Sequence, residues 1–309
     1  MIYPPAPRPG DLIALVCPSS PLAEGKPVEV IAEAVEALGF QVRIGASCRS
    51  GTDCGYAAAP ASVKARDINE AFADPAVKAV WCVRGGSTAW QIPPLLDYDA
   101  IARNPKPLIG FSDITTLHLA VNRRCGLVTF HGPTANRVPD WTAGDSFSWR
   151  SLQNALGLEG RMAAENPPGE SIQVLRPGRA QGELTGGNLS LIAASLGTPW
   201  QVDAKDRILF LEDVGEAVYA LDRMLSQLQY AGILEDAAGI IFGDFSDCRN
   251  AYREDYGPPA LLRDFTAGWR KPVLYNVRSA HCSPMATLPL GAVCIIDGNT
   301  ITLDNPCRQ

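Results

Sequence analysis

The sequence predicts an α/β protein in which an N-terminal doubly wound parallel-sheet domain is followed by a C-terminal domain of mixed strands and helices. Three observations carry this expectation. From Gly10 onward, short β-rich runs alternate with helix-like segments, the pattern of a parallel sheet covered on both faces. Between about Pro139 and Gly182 the alternation is lost. Beyond that stretch apolar periodicity resumes, with strands and helices in a different order.

Strands are expected at Leu12 to Cys17, Gln41 to Ile44, Ala79 to Val83, Leu108 to Phe111 and Leu127 to Phe130. Helical spacing fills the intervals: Val28 to Leu38 with Gly39 as its stop, Ser62 to Phe72, Trp90 to Ile101 and Ile114 to Asn122. Five strands with four crossovers make the N-terminal domain, residues 1–138. Residues 139–181 read as a linker, punctuated by Pro167-Pro168-Gly169 and Pro177-Gly178, with one helical stretch near Trp149 to Leu156. The C-terminal domain, residues 182–309, opens with a helix-like Leu189 to Leu196 and a strand at Ile208 to Leu211. A helix follows in which Val218, Leu221, Leu225 and Leu228 share one face. Further strands are expected at Ala238 to Phe242, Val273 to Tyr275, Ala292 to Asp297 and Thr300 to Leu303. Asp297-Gly298-Asn299 is the hairpin turn between the last two, since these residues tolerate positive φ.

Composition narrows the function. The 309 residues are 46% hydrophobic and 19% charged, enough for one large or two medium cores. Lys and Arg number 27 against 33 Asp and Glu, a net charge of −6 that offers no general attraction to nucleic acid or to anionic lipid. The nine cysteines form no CxxC pair and read as reduced thiols. The apolar run Leu12 to Cys17 is too short for a signal-peptide core or a membrane span, so the expectation is a cytoplasmic protein with no membrane partner. No HExxH, GxGxxG or Walker pattern occurs, so neither a metal nor another cofactor is expected.

In open α/β sheets reactive groups collect beyond the carboxyl ends of strands, and four segments place polar residues there. In Gly110-Phe111-Ser112-Asp113 an apolar strand meets a helix start, where a serine projects from a sharp turn beside amides that favour negative charge. That suits an acyl-transfer nucleophile, but Ser112 would equally cap the helix, and Ile114 replaces the second glycine of a GxSxG elbow. Arg84-Gly85-Gly86 follows another strand; paired glycines let amides approach an oxyanion, or merely make a tight turn. Leu211-Glu212-Asp213 ends a strand in two carboxylates. One of them could orient a histidine, and Asp213 is the better placed to cap the next helix. Of the three histidines, His118 reads as helix packing and His131 as a strand-end residue. His281, in the irregular Ser279-Ala280-His281-Cys282-Ser283-Pro284, is the best general-base candidate. The order Ser112, Glu212, His281 matches the nucleophile, acid, base succession of α/β hydrolases.

Taken together these segments resemble the LD-carboxypeptidases, the muramoyltetrapeptide carboxypeptidases, a family that includes microcin C self-immunity peptidases. The resemblance runs through Pro9-Gly10-Asp11, Arg84-Gly85-Gly86, Leu95-Leu96-Asp97-Tyr98, Leu108 to Thr115, Gly187-Asn188-Leu189, Leu211 to Glu216, Asp222-Arg223-Met224-Leu225, His281 with Pro284, and Thr287 to Gly291. It implies Ser112 as nucleophile, His281 as general base and Glu212 as its orienting carboxylate. The Gly86 and Asp113 amides would hold the oxyanion. It also implies a site between two domains, a small muropeptide tetrapeptide as substrate, no cofactor, and the homodimer that members often form. Because an exopeptidase must recognise a free carboxylate, Arg84 is the candidate substrate-binding cation. Trp200 is open to stacking on substrate or to core packing.

The chain departs from the family pattern in two places. Ser87-Thr88 stands where similar members carry an aromatic residue and a glycine, and Ala280 stands where they carry a glycine. Two other readings of the sequence stay open: a self-immunity peptidase acting on aminoacyl-nucleotide amides, and a non-catalytic two-lobed ligand-binding protein.

Overall fold

The computed structural model describes residues 1–22, 27–49, 54–141, 146–158 and 160–305. Residues 142–145 and 159 of the expected linker, and the last four residues of the expected C-terminal domain, lie outside this set.

The first sheet is built as the alternation predicts. Strands β1 (Leu12–Val16), β2 (Gln41–Ile44), β3 (Val77–Cys82), β4 (Leu108–Gly110) and β5 (Thr129–His131) pair in parallel in the order β5-β4-β3-β1-β2. Their side chains alternate between two cores. Ile13, Leu15, Ala79, Trp81 and Ile109 pack against helices α1 (Val28–Ala37), α5 (Val138–Trp141) and α6 (Ser146–Leu156). Ala14, Val16, Val80, Cys82 and Leu108 pack against α2 (Ala61–Ala73), α3 (Tyr98–Arg103) and α4 (Thr115–Cys125). Both faces of the central strands are therefore dry, which is why they read as largely apolar runs, whereas the edge strand β2 keeps polar Gln41 and Arg43. Chain order reverses between β1 and β3, and a crevice opens at such a reversal beyond the strand ends.

The expected helix Trp90 to Ile101 is not one helix. It is two 3-10 turns, Ala89–Gln91 and Pro93–Leu95, followed by α3. Pro93 and Pro94 lack the N–H groups a continuous α-helix would bond. Asp97 then caps α3, accepting the Ala100 N–H at 2.8 Å.

The second sheet has eight strands in the order β6-β14-β13-β8-β9-β10-β11-β7. These are β6 (Arg161–Ala163), β7 (Gln173–Arg176), β8 (Arg179–Asn188), β9 (Ile208–Val214), β10 (Gly239–Ser246), β11 (Val273–Tyr275), β13 (Val293–Asp297) and β14 (Thr300–Asp304), while β12 (Leu288–Leu290) belongs elsewhere. The central strands β8 to β11 are parallel and the flanking pairs antiparallel, so the domain mixes both kinds of ladder. Helices α7 (Leu189–Ser195), α8 (Val218–Tyr230) and α10 (Pro258–Phe265) cover one face through Leu189, Ile192, Leu221, Leu225, Leu228, Leu261 and Leu262. The short α9 (Ile233–Asp236) precedes β10.

Three features differ from the expectation. The stretch 139–181 contains the expected helix, as α6, but also supplies β6, β7 and the start of β8 where an irregular connection was expected. β9 continues through Val214, so Glu212 and Asp213 lie within the strand and not beyond its end. The tripeptide β12, from late in the chain, pairs antiparallel with β5 and becomes the sixth strand of the first sheet. Its Leu288 and Leu290 also pack in the core of the second domain.

Candidate functional site

Ser112 stands immediately beyond β4, as the first residue of a 3-10 turn (Ser112–Ile114) that runs into α4. Its φ of 64° lies in the left-handed region, a conformation that costs a residue with a Cβ on the order of 1–3 kcal/mol. The bend turns the hydroxyl out of the strand direction. Gly85, beyond β3, packs against it: a Cβ on Gly85 would stand 3.0 Å from the Ser112 Cβ and 3.2 Å from its Oγ.

Glu212 is fully buried in β9, opposite Asn188 at the end of β8. Asn188 ties this point to the first domain, because its backbone N–H donates to the Thr115 hydroxyl at 3.0 Å, one turn into the helix that begins at Ser112. Asp213 points the other way. It accepts from the Asn188 side chain and from the backbone and hydroxyl of Ser190, and so caps α7 rather than the helix that follows it in sequence.

His281 bridges the two. Its Nδ1 lies 2.9 Å from Glu212 Oε2, and its Nε2 lies 3.2 Å from Ser112 Oγ. A carboxylate only accepts, so Nδ1 carries the proton and Nε2 is left to accept from the serine hydroxyl. Burial pushes the Glu212 carboxyl above its ordinary value, and the His281 hydrogen bond opposes that shift.

The segment that carries His281 is fastened on several sides. The Ala286 N–H donates to the Arg278 carbonyl at 2.7 Å, and the Ser279 hydroxyl donates to the Ala286 carbonyl at 2.9 Å. Arg278 is ion-paired with Asp244 of β10. Phe111 packs edge-on against the imidazole, 4.9 Å between ring centroids. The Arg137 guanidinium covers that phenyl ring at 4.6 Å and donates to the Cys282 carbonyl at 2.8 Å.

Gly86 has φ of 144°, and a Cβ there would fall 2.2 Å from Ser20 Oγ, so no other residue fits. Its N–H makes no hydrogen bond among the described residues. The Asp113 carboxylate is buried and accepts from the Ser19 hydroxyl and, at 2.8 Å, from the Ala89 N–H. It thereby joins the turn after β3 to the turn after β4.

The other residues singled out from sequence fall outside this cluster. Arg84 is half-buried and donates to the Pro21 carbonyl, and no hydrogen bond joins it to Ser112 or His281. His118 is buried in α4, with Nε2 2.9 Å from the Gly110 carbonyl, and burial pushes its pKa down to about 4. His131 ends β5 between Phe111 and Phe210, fully buried and held well below the ordinary histidine value. Trp200 lies beside Tyr98. Phe111, Thr115 and Asn188 fall in motifs the sequence offered, but their contacts, and Arg137 and the Asp244–Arg278 pair, were not evident from it, because those contacts join segments far apart in the chain.

Among the described residues no group of three or more His, Cys, Asp or Glu side chains is placed to hold a metal ion. The eight described cysteines are free thiols. No described helix is long and apolar enough to cross a membrane.

The comparisons agree along the whole chain. The family model described as LD-carboxypeptidase N-terminal domain matches residues 13–132, and that described as LD-carboxypeptidase C-terminal domain matches residues 181–296. The "Probable murein peptide carboxypeptidase" of Bacillus subtilis is 37% identical over 287 residues, covering 92% of this chain and 88% of its own length. The murein tetrapeptide carboxypeptidase of Pseudomonas aeruginosa is 30% identical over 293 residues, 94% of either chain. Among solved structures, the microcin C7 self immunity protein MccF in complex with aspartyl sulfamoyl adenosine superimposes with a TM-score of 0.88. It is 25% identical, with 99% of each chain covered. Matched by both domains of one family, and by murein peptide carboxypeptidases over nearly its full length, this chain belongs to the LD-carboxypeptidase family.

Proposed function

We propose that the protein is a serine LD-carboxypeptidase that releases the terminal D-alanine of peptidoglycan-derived tetrapeptides through a Ser112–His281–Glu212 relay. The observation that carries the reading is the single imidazole hydrogen-bonded on one side to a hydroxyl and on the other to a buried carboxylate.

In this reading His281 Nε2 takes the Ser112 proton as Oγ attacks the carbonyl carbon of the last peptide bond. Glu212 holds the ring in the reactive tautomer and stabilises the imidazolium that forms. The Gly86 and Asp113 amides receive the developing oxyanion, each worth roughly 10²- to 10³-fold in rate. His281 then protonates the departing amine of D-alanine, leaving the tripeptide esterified to Ser112. Water, deprotonated by the same imidazole, frees the acyl group. Arg84, beyond the strand that leads to Gly86, binds the free carboxylate of the substrate once the guanidinium leaves the Pro21 carbonyl.

The likeness to MccF favours one second reading, hydrolysis of an aminoacyl-nucleotide amide on the same relay. Mass spectrometry separates the two. The purified protein is incubated with tetrapeptides bearing L,D- and D,D-linked termini and with an acyl-adenylate mimic. Loss of D-alanine from the L,D-linked tetrapeptide is the expected result. Cleavage of the mimic alone would transfer the assignment to the second reading, and no cleavage of any of them would leave a binding protein.

A further inference from the structure

The two amides assigned above to the oxyanion sit on different segments, Gly86 after β3 and Asp113 after β4, so their spacing depends on what joins those segments. The joint is a buried polar network. Ser19, after β1, donates its hydroxyl to Asp113 Oδ2 and accepts the Thr88 N–H at 3.2 Å. The Thr88 hydroxyl donates to the Ser19 carbonyl at 2.9 Å. At the far end lies Lys64 of α2, a lysine with no exposed surface.

Its ammonium donates to the Thr88 carbonyl at 3.1 Å, to Thr88 Oγ1 at 2.8 Å and to Gln91 Oε1 at 2.9 Å. All three donors are used, and all three acceptors lie in the turn that follows Gly86. Among the described residues no carboxylate pairs with Lys64 within 4.0 Å, so its charge is balanced through the network, by Asp113 at the opposite end. A buried ammonium is costly to keep. A methionine would fill the same space beside the apolar Ala65, Ile68, Ala71 and Phe72, while the other buried charge of this helix, Asp67, accepts the Ser47 N–H at 2.7 Å. The cost is understandable if the charge holds something that packing alone does not.

We propose that Lys64 is a positioning residue of the oxyanion hole: through Thr88 and Ser19 it clamps the Gly86 turn against Asp113 and sets the spacing of the two amides. This rests on the serine mechanism proposed above. Lys64 touches no substrate. Its effect falls on the transition state, where the oxyanion appears, and not on ground-state binding.

The test is the rate at which a fluorophosphonate labels Ser112, read by intact mass, beside KM and kcat for the tetrapeptide. Phosphonylation builds negative charge in the same hole and needs no knowledge of the natural substrate. Lys64→Met and Thr88→Val are each expected to label at least tenfold more slowly and to lose kcat in parallel, with KM within threefold of wild type. Thr88→Ser, which keeps the hydroxyl, is expected to restore labelling to within threefold. Melting temperature and circular dichroism establish that each variant is folded. If Lys64→Met does not fold, the Thr88→Val and Thr88→Ser comparison decides. A folded Lys64→Met or Thr88→Val that labels at less than a tenfold deficit overturns the proposal, as does equal impairment of Thr88→Ser and Thr88→Val. Failure of the wild-type protein to label at Ser112 would instead overturn the mechanism on which the proposal rests.

Discussion

Replacing Glu212 by glutamine removes one charge and almost no volume, and so isolates what the buried carboxylate does. In the proposed relay, His281 takes the Ser112 proton and becomes an imidazolium whose Nδ1 lies 2.9 Å from the carboxylate oxygen. With charge centres about 4 Å apart and an effective dielectric near 20, the attraction is about 4 kcal/mol. Losing it slows the chemical step about 10³-fold. An amide that turns its NH2 toward Nδ1 adds to the loss, because it stabilises the tautomer whose Nε2 carries the proton and cannot accept from serine. Stability moves the other way. Burial holds the Glu212 carboxyl above its unfolded value, so the native state binds the proton more tightly than the unfolded chain. Ionising Glu212 therefore costs stability as pH rises through and above the carboxylate range. The glutamine variant is free of that cost. The expected outcome at pH 7.5 is a kcat for D-alanine release reduced about 10³-fold, KM changed little, and a melting temperature equal to or above wild type. A kcat within tenfold of wild type would show that the carboxylate does not stabilise an imidazolium. A large fall in melting temperature would show that the carboxylate is structural.

Ala280 has φ of 139° and is fully buried. Ala280→Gly relieves on the order of 1–3 kcal/mol of strain, against about 0.8 kcal/mol for one lost methyl group and a few tenths for a looser unfolded chain. Chemical denaturation is expected to find the variant between about 1 kcal/mol less stable and about 2 kcal/mol more stable, and a loss of about 1.5 kcal/mol or more would contradict the strain. His118, pushed down to about 4, and His131, held low by burial, are neutral in the fold and protonate first in the unfolded chain. The contribution of these two histidines is therefore complete above about pH 6.5 and is lost as pH drops toward 4, by about 3 kcal/mol for His118 alone; urea melts of the Glu212→Gln variant, which lacks the opposing carboxyl contribution, that stay flat between pH 7 and 4.5 would contradict this. Arg84→Lys loses the bidentate geometry for a carboxylate, so KM is expected to rise far more for the free-acid tetrapeptide than for its amide. Equal effects on both would remove Arg84 from substrate recognition.

The first sheet was legible because both faces of its central strands are covered, so those strands are largely apolar runs with helical spacing between them, and the edge strand β2, Gln-Val-Arg-Ile, still shows alternation. The Ser112 turn was legible for a local reason: an apolar strand stops at a small polar residue and a helix starts. The strands missed in the sequence lack such a signal. β12 is Leu-Pro-Leu, too short to show a period, and its place beside β5 comes from a partner about 160 residues away. The upper part of β8 is Gly-Gly-Asn, which reads as a turn. A Cβ on Gly186 would fall 1.9 Å from the Phe210 carbonyl oxygen, so the strand is glycine-rich because β9 approaches closely there. The helix α10 begins at Pro258-Pro259, taken alone a loop signal but acceptable in a first turn. At the site, Ser112, Glu212 and His281 were candidates by residue type and by their places near strand ends and in a loop. The Thr115–Asn188 contact, the Arg137–Phe111–His281 stack and the buried Lys64 network were not evident, since each joins residues whose proximity only the tertiary fold creates.

The central claim, that Ser112 performs covalent chemistry with His281 and Glu212, is tested most directly by D-alanine release from a muropeptide tetrapeptide under single-turnover conditions, wild type beside Ser112→Ala. The wild-type protein is expected to liberate the amino acid through a tripeptidyl ester on Ser112, visible in the quenched protein's mass. The alanine variant should be slower by roughly 10⁴- to 10⁶-fold and form no adduct. Release at the wild-type rate by Ser112→Ala would contradict covalent chemistry at Ser112.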